Sequence, residues 1–127
     1  MNITQALTSL SITEWVLRGE PTTEAEFNQM FRKVTGVDAN GSAIESSTPS
    51  DFGVTWSQVS TKKTELVNAE PMRLLREERN RLIAETDHWV LSDTADATSA
   101  QTTYRQALRD ITKTATSLDD VTWPEKP

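Results

Sequence analysis

A chain of 127 residues is one domain, or one domain with an appendage, and can bury only a modest core. Thirteen lysines and arginines against nineteen acids leave a net charge of -6, which argues against general affinity for nucleic acid or an anionic membrane. The absence of cysteine excludes disulfides, thiolate zinc sites and cysteine nucleophiles. MNITQALTSLSITEW has no basic start or apolar run of a signal peptide, and no stretch of about eighteen apolar residues is present to span a membrane.

Ile3, Ala6, Leu7 and Leu10 recur at helical spacing behind Asn2, with Gln5 completing a capping pattern, and predict a short helix. Glu14 to Arg18 is bulky and β-branched and is followed by Gly19-Glu20-Pro21, the pattern of a strand running into a turn. Thr23 and Glu26 form a possible capping box before Phe27, Met30, Phe31 and Val34, which are spaced for a helix. Yet Phe31 to Val37 leads into Asp38-Ala39-Asn40-Gly41, a hairpin signal. Residues 24–35 are therefore open between a helix passing into a hairpin arm and a strand throughout. ESSTPSDFG, residues 45–53, reads as a polar surface loop and hinge, dividing the chain into 1–54 and 55–127.

Thr55 and Gln58 begin a second helical pattern through Trp56, Val59, Leu66 and Val67, and Pro71 is expected to kink or break it. Beyond it Met72, Leu75, Leu82 and Ile83 line one face, with Arg73–Glu77 and Glu77–Arg81 as ion pairs four residues apart. That helix should end near Thr86-Asp87, before the apolar knot His88-Trp89-Val90-Leu91. Thr98 and Gln101 cap a last helix over about residues 100–114, with Tyr104, Ala107, Leu108 and Ile111 on its buried face. Leu118, Val121 and Trp123 then fold back as an extended arm in which Pro124 and Pro127 forbid helix. The expected fold class is α+β: a short helix with a small β-hairpin or meander, then an αα-hairpin whose one end is covered by the Trp-Pro arm.

Chemistry-bearing patterns are sparse. His88 is the lone histidine, and one imidazole without cysteine makes a poor metal site, so a structural or solvent-facing role is the better account. Asp38-Ala39-Asn40-Gly41 resembles the start of a calcium loop but lacks its later ligands and reads as a turn. Asp93 with Asp96, and Asp119 with Asp120, are carboxylate pairs with no sign of a substrate cleft. Arg73, Arg76, Arg79 and Arg81, with Arg105 and Arg109, could line a nucleic-acid groove in which Trp89 and Tyr104 stack on bases. Interleaved Glu77, Glu78 and Asp110 favour a salt-bridged helix pair instead. No glycine-rich phosphate loop or catalytic triad is present, and no cofactor is implied.

Three separated pieces, Leu75 to Trp89 (LREERNRLIAETDHW), Tyr104 to Ile111 (YRQALRDI) and Val121 to Pro127 (VTWPEKP), resemble the C-terminal module of tail assembly chaperone proteins of tailed bacteriophages. The pattern is an LRxxR helix, an acid-x-aromatic loop, a YRQALRD helix and a WPxxP arm, and His88 is its main departure. The first part of the chain, around Glu14 to Gly19 and Val34 to Gly41, resembles small virion-gene products of phages that infect cyanobacteria. The resemblance implies a non-enzymatic assembly factor that binds a phage tail or tail-fibre structural protein in the host cytoplasm during infection. It does not imply binding to nucleic acid or membrane. The alternative is a small virion component at the tail or fibre attachment site. Arg76, Arg79, Trp89, Tyr104, Arg105 and Trp123 are the expected partner-binding residues, the aromatics because exposed rings concentrate binding energy.

Overall fold

Phe27 and Phe31, four residues apart, straddle the point where helix becomes strand, and the computed structural model, which describes residues 1–127, is α+β around such junctions. Helix α1 (Ile3–Ser9) is capped by Asn2 and Gln5, each side chain bonded to the other's backbone N–H. Strand β1 (Trp15–Leu17) follows, then α2 (Glu24–Met30), which passes without a loop into β2 (Phe31–Val37). Of the two readings left open for residues 24–35, the helix entering a hairpin arm is the one formed. Phe31 effects the change: its N–H closes the last helical bond to the Phe27 carbonyl while its own φ/ψ are already extended.

Strand β3 (Ala43–Ser46) completes an antiparallel sheet of order β1-β2-β3, with a register shift between Val34 and Gly36. The β2–β3 connection is wider than a two-residue Asn-Gly turn. The Asp38 carboxylate accepts from Asn40 N and Ser42 N, and Gly41 takes the positive φ of 81° that closes the loop. Gly19, at φ 134°, lets the chain pass the Met30 side chain, whose Sδ lies 2.9 Å from where a Cβ would stand. The Thr23 box forms by half: Thr23 Oγ1 accepts from Glu26 N, but the Glu26 carboxylate turns to the N–H and hydroxyl of Thr22.

The chain forms two compact units, Met1–Asn68 and Ala69–Pro127, so the boundary expected after residue 54 lies within the first of them. The segment expected as a surface hinge instead supplies core. Phe52 is buried, its ring 4.7 Å from that of Phe31 and 5.9 Å edge-on from that of Phe27, and Val54 is buried beside them. Phe27 and Phe31 stack at 4.9 Å, and Ile3, Ala6, Leu7 and Val59 close the cluster. A nine-residue polar stretch hid this because one aromatic, set by Gly53 at φ 72°, is enough to turn its loop inward.

Helix α3 (Trp56–Ala84) runs unbroken through both units, capped at Thr55 by the expected exchange with Gln58. Pro71 lies inside it and does not end it, contrary to the expected break. The missing N–H costs one bond to the Val67 carbonyl, which twenty-nine residues of helix can absorb. In the second unit α3 gives way to a 3-10 turn at Asp87–Val90, and α4 (Ser99–Arg109) follows behind the reciprocal Thr98–Gln101 cap. A further 3-10 turn at Ile111–Lys113 takes up the end of what was expected as continuous helix. Leu75, Tyr104, Leu108, Ile111 and Ala115 are the buried apolar residues of this unit.

Candidate partner-binding site

Within the second unit the side chains expected to bind a partner divide by burial. Tyr104 and Arg105 are 5% and 6% exposed, leaving little of either to touch a partner directly. Helical spacing explains this: Tyr104, Arg105 and Leu108 lie at i, i+1 and i+4 on α4, and the face that buries the leucine buries the other two.

Arg105 is instead a fastener. Its Nη1 donates to Thr86 Oγ1 at 2.6 Å, to the Ile83 carbonyl at 3.2 Å and to Asp87 Oδ1 at 3.2 Å. Thr86, fully buried, passes its own hydroxyl hydrogen to the Ile83 carbonyl at 2.8 Å. The α3 terminus thus meets the guanidinium through a carbonyl, a hydroxyl and a carboxylate, and the buried charge is not left unpaired. Thr86 and Asp87 are site-building residues that sequence reasoning missed. A threonine after an alanine and a glutamate carries no local sign of being an arginine's acceptor.

This fastening sets the 3-10 turn that carries Trp89. The Trp89 N–H bonds the Thr86 carbonyl, and the indole stands half-exposed, 6.1 Å from the Tyr104 ring and 5.9 Å from that of His88. Lys126 Nζ lies 5.8 Å from the Trp89 ring centroid, a cation over the electron-rich face. Residues 121–127 therefore return to this corner, where Trp123 and Pro124 are half-buried. A cavity of about 360 Å³ lies between the arm at Pro124 and Pro127 and the α4 residues Ala100, Thr103, Tyr104 and Ala107. A second, of about 340 Å³, is bordered by His88, Trp89, Thr94 and Asp96. No three His, Cys, Asp or Glu side chains are grouped to hold a metal ion.

The arginines of α3 also divide. Arg73 bridges Glu70 and Glu77, and Arg81 bridges Glu78 and Glu85, so Arg81 pairs with Glu78 and Glu85, not with Glu77 as expected. Hydrogen bonds from Arg73 and Arg81 hold the Glu70 and Glu78 carboxyls below their ordinary value, and the two guanidiniums are pushed up in return. Arg79 meets only the side-chain oxygen of Asn80, and Arg76 is exposed with no ion-pair partner. Arg76 and Arg79, spaced i and i+3, are the cations this helix leaves to solvent beside its bridged pairs.

No helix of the chain is long and apolar enough to cross a membrane. No curated protein and no solved structure matches the chain. Residues 72–127, which hold the Arg105 fastening, the Trp89 corner and the returning arm, match the model of the family described as phage tail assembly chaperone protein, and this stretch resembles that family in support of a role in phage tail assembly.

Proposed function

We propose that the protein is a non-enzymatic bacteriophage tail-assembly factor that binds a structural tail or tail-fibre protein in the host cytoplasm. The single observation that carries this reading is the family match over residues 72–127. Trp89 is the anchor of the binding surface, a half-exposed indole on a turn locked from beneath, as residues that concentrate binding energy tend to be. Arg76, Arg79 and Trp123 add contact around it, and Tyr104 and Arg105 act from below by fixing where Trp89 stands.

Binding an apolar surface of a tail protein would stabilise that protein's soluble form by mass action until it is incorporated. The test is co-purification of the tagged chain from infected cells, with bound proteins identified by mass spectrometry. A structural tail or fibre protein should be enriched with the native chain and lost with Trp89→Ala, while circular dichroism shows that variant to be folded. Equal recovery with both chains would remove Trp89 from the interface. Stoichiometric presence of the chain in purified particles would favour the virion-component alternative over the transient helper.

A further inference from the structure

The arm at residues 121–127 is held differently from everything before it. Immediately upstream, the Asp120 carboxylate accepts from the N–H and hydroxyl of both Thr116 and Ser117, at 2.8 to 3.3 Å, and pins the turn. From Val121 onward no hydrogen bond ties the chain to the rest of the unit. Two of these seven residues are prolines, which have no N–H to give. What remains is apolar contact along α4 and the Lys126 cation over Trp89. A pinned turn followed by an unbonded, proline-bearing extended segment on an aromatic floor is arranged as a bound peptide is, with its tether included.

We propose that residues 121–127 are a releasable strap, the resident occupant of the α4 groove, which gives way to an extended, proline-flanked segment of the client carrying a basic side chain. This rests on the reading that the Trp89 corner binds a client. The occupant's chemistry is taken from the strap itself. Pro124 and Pro127 border the groove along Ala100, Thr103 and Ala107, and the one strap cation meets the indole face. The tether supplies the regulation. A segment joined to its own groove competes at an effective concentration in the millimolar range, so a weak or ill-matched segment is refused and only a better-fitting one displaces it.

The test uses the full chain labelled with 5-fluorotryptophan, the Trp89 resonance being assigned with Trp89→Phe, and an unlabelled synthetic peptide of sequence VTWPEKP as the probe. In Trp123→Ala/Lys126→Ala, and more mildly in Lys126→Ala alone, the Trp89 resonance should move. Added peptide should return it at concentrations at least about tenfold lower than those needed to perturb the intact chain. A Trp89 resonance unmoved by either variant, or equal peptide binding by intact and strap-weakened chains, would overturn the strap. Client capture separates the two readings. If peptide competes as described but no tail protein is captured by any form, the strap stands without the client. If capture depends on Trp89 yet is no stronger in the strap-weakened chain, the client site stands and the strap falls.

Discussion

Thr86 has more structural consequence than its size suggests, because one hydroxyl accepts from the Arg105 guanidinium at 2.6 Å and donates to the Ile83 carbonyl at 2.8 Å. Thr86→Val keeps the shape and removes both bonds, leaving a buried charge one acceptor short. It should destabilise by about 1–3 kcal/mol, the range for a buried hydrogen-bonding group left without its partner. Urea unfolding monitored by circular dichroism measures this, and an unchanged midpoint would mean that Asp87 and the Ile83 carbonyl suffice for Arg105. The arginine also marks where the sequence misleads. A charge beside Tyr104 on a polar helix has the pattern of a solvent-facing contact, and only the α3 terminus, nineteen residues earlier at Thr86, provides the acceptors that let it be buried. Phe52 is the apolar counterpart: it lies in a stretch whose composition is that of a surface loop, and its partners Phe27 and Phe31 are far away in sequence.

At the scale of elements, what was legible was what is local. The Asn2–Gln5, Thr55–Gln58 and Thr98–Gln101 caps each need two side chains three residues apart, and all three close as their spacing predicts. The Phe27–Val34 stretch was ambiguous because Phe27 and Phe31 serve a helix period and a strand start at once. Pro71 was over-read, since its penalty is real but smaller than what a long packed helix can carry. That penalty predicts a gain from its removal. An interior helical proline costs about 3 kcal/mol, while restoring freedom to the unfolded chain gives back up to about 1 kcal/mol, so Pro71→Ala should stabilise by about 2 kcal/mol. A rise in the thermal midpoint with unchanged or greater helicity is the expected result, and a fall would show that the proline side chain contributes packing. In α4, Leu108 is fully buried, and Leu108→Ala should cost about 2–5 kcal/mol. A loss near zero in the same urea titration would mean that α4 contributes nothing to the unit's core.

For the whole molecule the decisive quantity is an excess of acids whose carboxylates are fastened in the folded state. Backbone N–H donation from Thr22 holds Glu26 below its ordinary value, and that from Ser117 does the same for Asp120. Gln106 and then Lys113 lower Asp110, and Arg73 and Arg81 lower Glu70 and Glu78. A folded value below the unfolded one means that the unfolded chain binds protons first as pH falls. Stability from these groups is therefore complete above the ordinary carboxylate values of 4.5 and 3.8, and is lost as pH drops through the depressed ones. The urea midpoint should be flat from pH 7 to about 5 and decline steeply below about 4. Salt distinguishes the causes. The exposed arginine pairs of α3 are screened within about 8 Å at physiological ionic strength, whereas the amide donors on Glu26 and Asp120 are part of the backbone and remain. In high salt the acid decline should become shallower but persist, and Asp120→Asn should reduce what persists by removing one titrating carboxylate. If salt abolished the decline altogether, the fastening would lie in the arginine bridges alone, and the turn that anchors the 121–127 arm would have to be held by something other than the Asp120 charge.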